Sequence, residues 1–486
     1  MKSRLRSIFI KEQKRYSFEN LKEMFRLQEH DVLSIINRLK SLGVLKSVKN
    51  NDEQRKMTEL IDEDVEVSDV DPDDYNHLYV FTFVGILMVY GIVLKCYPKY
   101  IHMNDAPTKE LKQVIKVINK FNKKEQIIKF QNDMQGEEKF NRLAVILYLL
   151  NDFYENGVYQ SSRSISEVNG TGEINWEKTI NDTFAIISNN RPVYPELITK
   201  RSINDEYNYI KRLHETILTQ CSKEIEDSGL LELFDILDVN LSDEKIEGFG
   251  DTEYILNHIQ KELNVQYNTH KQLLLKTLYT FVANEGVLSD NSEFSLFGTN
   301  SFHVVWEKSC AEVLDNHLET PLEQLPLNLS STFSRQRNKT LKEFIEKPKW
   351  HGKGIDIQEA EKTLIPDLIT IKKNIKGDWQ FLIFDAKYYN LRLEKGILGG
   401  QPGIESITKQ YLYQMAYKDF LGEHYIQEVR NCFLFPTECE DVIDNGEVYM
   451  DMFSNLEKIK IRMLPVSRVY DCYLNNKKID ATELDL

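Results

Sequence analysis

A chain of 486 residues is longer than one ordinary core organises, so several domains are expected. With 41% hydrophobic and 28% charged residues, and only 21 Gly and 12 Pro, it is a folding chain and not a disordered one. The formal net charge of −15 excludes a simple nucleic-acid coating protein, but not an enzyme that grips DNA through local patches.

The chain opens Met1-Lys2-Ser3-Arg4, without a secretory pattern. The six cysteines are scattered and form no CxxC pair, so a cytoplasmic protein without zinc or disulfides is expected. In residues 1–50, Ser17 can cap a helix through Phe18, Leu21, Met24 and Phe25. Val32, Ile35, Ile36 and Leu39 mark a second helix, and Gly43 stops it ahead of a strand. Two helices and a strand follow the winged helix-turn-helix pattern. Twelve basic residues stand there against five acidic ones, a local excess opposite to the charge of the whole chain. Lys22, Arg26, Arg38, Lys40 and Lys46 are its candidate DNA contacts, and a solvated face for docking a protein is the other reading.

Residues 51–75, with Asp62-Glu63-Asp64 and Asp71-Pro72-Asp73-Asp74, read as an acidic linker. Leu78 to Leu94 carries no charge, but Gly85 and Gly91 break it and it is short for a membrane span. Two buried strands are expected there, and no membrane association. A mostly helical stretch follows, marked by Leu143, Ile146, Leu147, Leu150, Phe153 and Tyr154, then by Ile210, Leu213, Ile217 and Leu218. Between these lies Asn169-Gly170-Thr171-Gly172, which reads as a turn. The chain carries no GxxxxGK[ST] phosphate loop.

The chemistry is concentrated after residue 300. Ile365 to Ile371 reads as a strand, Asn374 to Asp378 as a turn, and Trp379 to Tyr388 as the returning strand. This hairpin brings Asp367 beside Asp385 and Lys387, which share a face because side chains two apart on a strand point the same way. Asp385 follows the apolar run Phe381-Leu382-Ile383-Phe384, where an acid is costly to bury without a partner. A salt bridge between Asp385 and Lys387 is the plain structural reading. Carboxylates and a lysine together favour a hard-cation site for phosphodiester hydrolysis, with Mg²⁺ the expected ion and Mn²⁺ a substitute. Glu307 lies beside a helical face of Phe302, Val305, Trp306, Ala311 and Leu314 and is a candidate third ligand, or else an ordinary solvated acid. Downstream, Gln410 and Tyr413 share a helix face, and Gln410 can hold a water or a phosphate oxygen. Between Arg335 and Lys353, seven basic residues face two acidic ones. Arg335, Arg337 and Lys339 are candidates to track a DNA backbone, against the reading of a solvated helix face.

These residues carry a resemblance. Pro366-Asp367 with Asp385-Ala386-Lys387 resembles the PD-(D/E)XK nuclease superfamily. Further blocks are similar to the LlaJI family of restriction endonucleases, distant relatives of the nuclease subunits of McrBC-type systems. They are Phe83-Val84-Gly85-Ile86, Cys96-Tyr97-Pro98-Lys99-Tyr100, Asn169 to Trp176, Phe302 to Glu307 and Lys347-Pro348-Lys349-Trp350. The resemblance implies a restriction nuclease of type II-like character that cuts foreign double-stranded DNA in anti-phage defence, alongside a separate GTPase motor subunit.

The expected organisation is multidomain, α+β and α/β. Residues 1–50 form the winged-helix-like module, 51–75 the linker, and 76–300 a β-hairpin with a mostly helical middle domain. Residues 301–486 form a PD-(D/E)XK nuclease core, a mixed sheet flanked by helices. Catalytic roles fall to Asp367, Asp385, Lys387, Glu307 and Gln410, with Asp367, Asp385 and Glu307 as metal ligands. A repair or recombination nuclease with the same core, and a non-catalytic DNA-binding scaffold, are the alternatives.

Overall fold

The computed structural model describes residues 6–49, 77–103, 106–132, 141–205, 207–284, 294–353 and 356–486. The expected linker and the basic residues Lys2 and Arg4 lie outside these residues. The chain divides into a smaller compact unit over residues 139–295 and a larger one over 6–138 together with 296–486. Residues 6–49 therefore share a unit with the C-terminal third.

The larger unit begins with β1 (Arg6–Lys11) and β2 (Arg15–Ser17), then α1 (Phe18–Phe25) and α2 (Glu29–Ser41). Ser17 caps α1 as expected. Its hydroxyl accepts from the Asn20 amide at 3.1 Å, and Asn20 Oδ1 accepts from the Ser17 amide at 3.2 Å. Val32, Ile35, Ile36 and Leu39 of α2 are all buried, so the helical spacing did select the inner face. Gly43 takes φ +67 after α2 and releases the chain into β3 (Leu45–Lys49). With β4 (His77–Phe81), these strands make an antiparallel sheet of order β2-β4-β3.

A second sheet joins β5 (Val84–Val89), β6 (Ile92–Tyr97) and β7 (Phe294–Thr299) to β1, in the order β1-β6-β5-β7. The uncharged stretch is thus sheet. No helix among the described residues is long and apolar enough to cross a membrane. β1 pairs with β6 in parallel, Ile8 opposite Leu94. Gly85 sits where β5 meets β7, and a Cβ there would lie 2.2 Å from the Phe297 carbonyl oxygen, which explains why no side chain is carried at that position. The helix α3 (Thr108–Asn132) follows β6.

The third sheet positions the site. After α4 (Phe302–Val313), β8 (Leu368–Lys373) turns at Asn374–Asp378 into β9 (Trp379–Ala386). Then come α5 (Ile404–Ala416), β10 (Glu428–Thr437), β11 (Ile443–Val448), β12 (Ile459–Pro465) and α6 (Val466–Leu474). The order is β8-β9-β10-β12-β11, with parallel steps from β9 to β10 and from β10 to β12. Phe381, Leu382, Ile383 and Phe384 are at most 1% exposed, so the central strand reads as a continuous apolar run because both of its faces are covered.

The smaller unit adds small sheets to the helices expected of the middle region. Its helices Arg142–Asn156, Tyr209–Asp227, Thr252–Val265 and Thr269–Ala283 are present. Between the first two, Ser162–Val168, Glu173–Ile174 and Ile198–Asn204 form an antiparallel sheet, and Ile186–Ser188 pairs with Arg191–Val193. The segment Ser-Arg-Ser-Ile-Ser-Glu-Val alternates with period two, but its small polar residues gave it little apolar weight. Asn169 to Gly172 is the turn of this sheet.

Candidate active site at the end of the central hairpin

Leu368 pairs with Phe384 across the antiparallel ladder, so Asp367, one residue before β8, falls opposite Asp385. The Ala386 amide donates to Asp367 Oδ2 at 2.8 Å and fixes that carboxyl against the strand end. Asp385 is 5% exposed, and Lys387 Nζ sits 2.9 Å from its Oδ1. The hairpin therefore brings together the three residues that the sequence pattern singled out. The plain salt bridge is real, but it is one contact in a larger cluster.

Glu307 of α4 is the further member. It is not a solvated acid: burial first, then the charge of Asp385, push its carboxyl up to about 7, against a smaller opposing effect of Lys387. Asp367 is raised well above its ordinary range by burial, by the charges of Asp385 and Glu307, and by a hydrogen bond with Asp385. Burial alone would lower the Lys387 ammonium, but Asp385 and Asp367 outweigh it and hold it above its ordinary value. Three carboxyls thus converge on one ammonium in a partly dry corner, where such an excess of one sign is costly.

Among the described residues no three His, Cys, Asp or Glu side chains form a ready-made metal cage. The donor chemistry still suits a hard dication, because Mg²⁺ takes oxygen ligands, keeps several waters and needs only one or two carboxylates. Asp367 and Asp385 could supply those, with Glu307 beside them.

Gln410, offered as a hold for a water or a phosphate oxygen, is engaged with the backbone. It is fully buried on α5, beneath β9, and its Nε2 donates to the Ile383 carbonyl at 2.9 Å. Its Oε1 is buried without a hydrogen-bond partner. Tyr413, one turn on, donates to the Ile365 carbonyl at 2.9 Å, and burial followed by the charges of Asp385 and Asp367 raises its phenol. These two side chains brace the strand ends that carry the acids. The signal for Tyr413 was its spacing from Gln410.

The candidate DNA contacts fall into two groups. Arg26 is exposed at the end of α1, with φ +51, while Lys22 pairs with Glu29 at 3.2 Å. Arg38 and Lys46 are half-buried, and Lys40 lies 5.3 Å from the centre of the Tyr79 ring, its ammonium lowered by burial. Arg335, Arg337 and Lys339 are exposed on a 3₁₀ turn (Ser331–Gln336) and the loop that follows it. Phe333 anchors that turn in the core cluster that also holds Ile383 and Tyr413.

The comparison with known proteins gives the family first. Residues 83–470 match the model of the LlaJI restriction endonuclease family, and the chain belongs to that family. Over 415 residues it is 29% identical to the type II restriction enzyme BsuMI component YdjA of Bacillus subtilis (strain 168), with 83% of each chain covered. Among solved structures, it is similar to a refined half-complex from the tetradecameric assembly of Thermococcus gammatolerans McrB AAA+ hexamers with bound McrC. That match has a TM-score of 0.39 and 11% identity, over 97% of this chain and 99% of the other. A cryo-EM structure of the Thermococcus gammatolerans McrBC complex matches with a TM-score of 0.26 and 12% identity, over 62% of this chain and 85% of the other.

Proposed function

We propose that this chain is the DNA-cleaving subunit of a restriction system, a PD-(D/E)XK endonuclease using Mg²⁺, with Mn²⁺ as a substitute. The observation that carries the proposal is the corner where Asp367, Asp385 and Glu307 meet Lys387 at the end of β9. Membership of a restriction endonuclease family supports the reaction class, and the mixed sheet with its antiparallel hairpin supports the superfamily core. The arrangement of β2, α1, α2, β3 and β4 supports a winged-helix reading of residues 15–49 with 77–81, with duplex DNA as its ligand.

Held at Asp367 and Asp385, the ion would polarise the scissile phosphate and lower the pKa of an attacking water. Lys387 stays an ammonium at neutral pH, so its part is to stabilise charge building on the phosphate and not to take a proton. Glu307, held near 7, is suited to accept the proton of the attacking water at its carboxylate. Asp385 keeps Lys387 aimed, and the Ala386 amide keeps Asp367 from rotating away. Gln410 and Tyr413 hold the strand ends that present them.

The named relative is one component of its enzyme. By extension, this chain acts with at least one further protein, a separate GTPase motor subunit. The test is Asp385→Asn in the full chain, assayed on plasmid DNA with and without the proteins that co-purify with it. Loss of cleavage with retained DNA binding is expected. A variant that cuts like the wild type would sink the assignment.

A further inference from the structure

Tyr388 follows Lys387 directly, yet its hydroxyl is used far away in the sequence. It donates to Glu12 Oε2 at 2.5 Å, between two residues that are each 6% exposed. The same carboxylate oxygen accepts the Lys99 amide at 3.1 Å. Lys99 closes the knot: its Nζ lies 4.8 Å from the centre of the Tyr388 ring and donates to Gln13 Oε1 at 3.1 Å, and its carbonyl accepts from Asn390 Nδ2 at 3.2 Å. The Tyr388 ring is set edge-on between Tyr100 and Phe302.

Lys387 sits where the sheet ends. β9 stops at Ala386, and the Lys387 amide makes a last ladder bond to the Leu434 carbonyl at 2.9 Å. The direction of the chain beyond that bond is set by side chains, and the buried one is Tyr388. A hydroxyl on a carboxylate makes a short, charge-assisted bond, stronger and more directional than a neutral one. Glu12 immediately follows β1, and the Gln13 amide donates to the Phe81 carbonyl at 2.9 Å, two residues before β2 and the helices.

We propose that the Glu12–Tyr388 hydrogen bond, clasped by Lys99, is a latch that positions Lys387 and mechanically joins the N-terminal helices to the catalytic corner. Glu12 and Tyr388 are positioning residues that act through Lys387. The latch gives a role to the Tyr97-Pro98-Lys99-Tyr100 block, which the cleavage chemistry does not itself use. This inference rests on the nuclease reading of the corner.

The test compares wild type, Tyr388→Phe and Glu12→Gln in the full chain, with thermal unfolding as the check of folding. Tyr388→Phe deletes only the hydroxyl, and Glu12→Gln keeps an acceptor but removes its charge. Single-turnover plasmid cleavage at saturating DNA should fall about tenfold to a hundredfold in Tyr388→Phe, and less in Glu12→Gln, with Kd for DNA unchanged. Independently of cleavage, the ¹³C-dimethyl resonance of reductively methylated Lys387, identified with Lys387→Arg, should move in both variants. A resonance and a cleavage rate that both match wild type in Tyr388→Phe overturn the latch. Cleavage by Asp385→Asn equal to wild type would instead defeat the nuclease reading, and the Lys387 resonance would still decide the latch.

Discussion

Two buried clusters of charge, one in each compact unit, are built on opposite plans. In the smaller unit Arg142 and Glu224 are 2% and 8% exposed and joined by hydrogen bonds of 3.0 and 2.7 Å, with the guanidinium 4.6 Å from the centre of the Phe281 ring. One charge meets one opposite charge, and the fork is filled. At the end of β9, Asp367 and Glu307 crowd the Asp385–Lys387 pair, and both are pushed up, by burial first and then by the neighbouring acidic charge. A balanced buried pair is explained by the fold alone. An unbalanced cluster is held against its own repulsion, and such strain is tolerated where a ligand later relieves it.

The largest effect that would sharpen this contrast is on cleavage. Asp385→Asn keeps the shape of the corner but removes the charge that holds Lys387. Plasmid cleavage should fall by about a thousandfold or more, while unfolding temperature stays near that of wild type. Retained activity would break the contrast, because the cluster would then be structural like the Arg142 pair. On the other side, Glu224→Ala strands Arg142 in the core and should cost about 3–5 kcal/mol in denaturant unfolding. Replacing both partners by apolar residues of similar volume should recover most of that loss. A mild Glu224→Ala phenotype would show that the pair is less buried in solution.

A smaller effect concerns pH. Glu307 is held near 7, above its ordinary 4.5, so between these values the folded protein keeps a proton that the unfolded chain has released. Stability of the metal-free protein should therefore fall as pH rises through that window, and Asp367 adds in the same direction. Glu307→Gln should flatten the fall of unfolding temperature measured in EDTA. Added Mg²⁺ should oppose it in the wild type, since a dication favours the ionised carboxylates. An identical slope in Glu307→Gln would remove Glu307 from the cluster. The smallest effect is at the surface: Arg335→Ala with Arg337→Ala should flatten the log–log salt dependence of DNA affinity by about one unit for each phosphate no longer neutralised. Anisotropy titrations at several salt concentrations read this directly, and unchanged slopes would leave that turn solvated.

Much of the corner was legible because its determinants are local. Asp367, Asp385 and Lys387 lie within one hairpin, and the turn at Asn374–Asp378 sets the register that opposes them. Ser17, Gly43 and the apolar spacing of α2 also act within a few residues, so the helices of the N-terminal region could be read directly. Between a third ligand and a solvated acid, the sequence left Glu307 open, since its proximity to Asp385 depends on how α4 packs on β9. Gln410 was read as able to hold a water or a phosphate oxygen, but its amide braces the Ile383 carbonyl, a contact that helical spacing cannot specify.

Caps, turns, the inner faces of helices and the strand that sets Asp385 and Lys387 on one side all follow from the linear chain. Their free energies come from neighbours a few residues apart, and the pattern records them. Long-range pairing is different in kind. That β1 runs parallel to β6, that Ser162–Val168 is a strand, and that Glu12 meets Tyr388 across 376 positions became visible only in the folded molecule. Each of these depends on long loops closing, and loop-closure cost is nearly indifferent to which residues lie between. Such pairings are chosen by burial and hydrogen bonding summed over the folded unit, so no local stretch of the chain announces them.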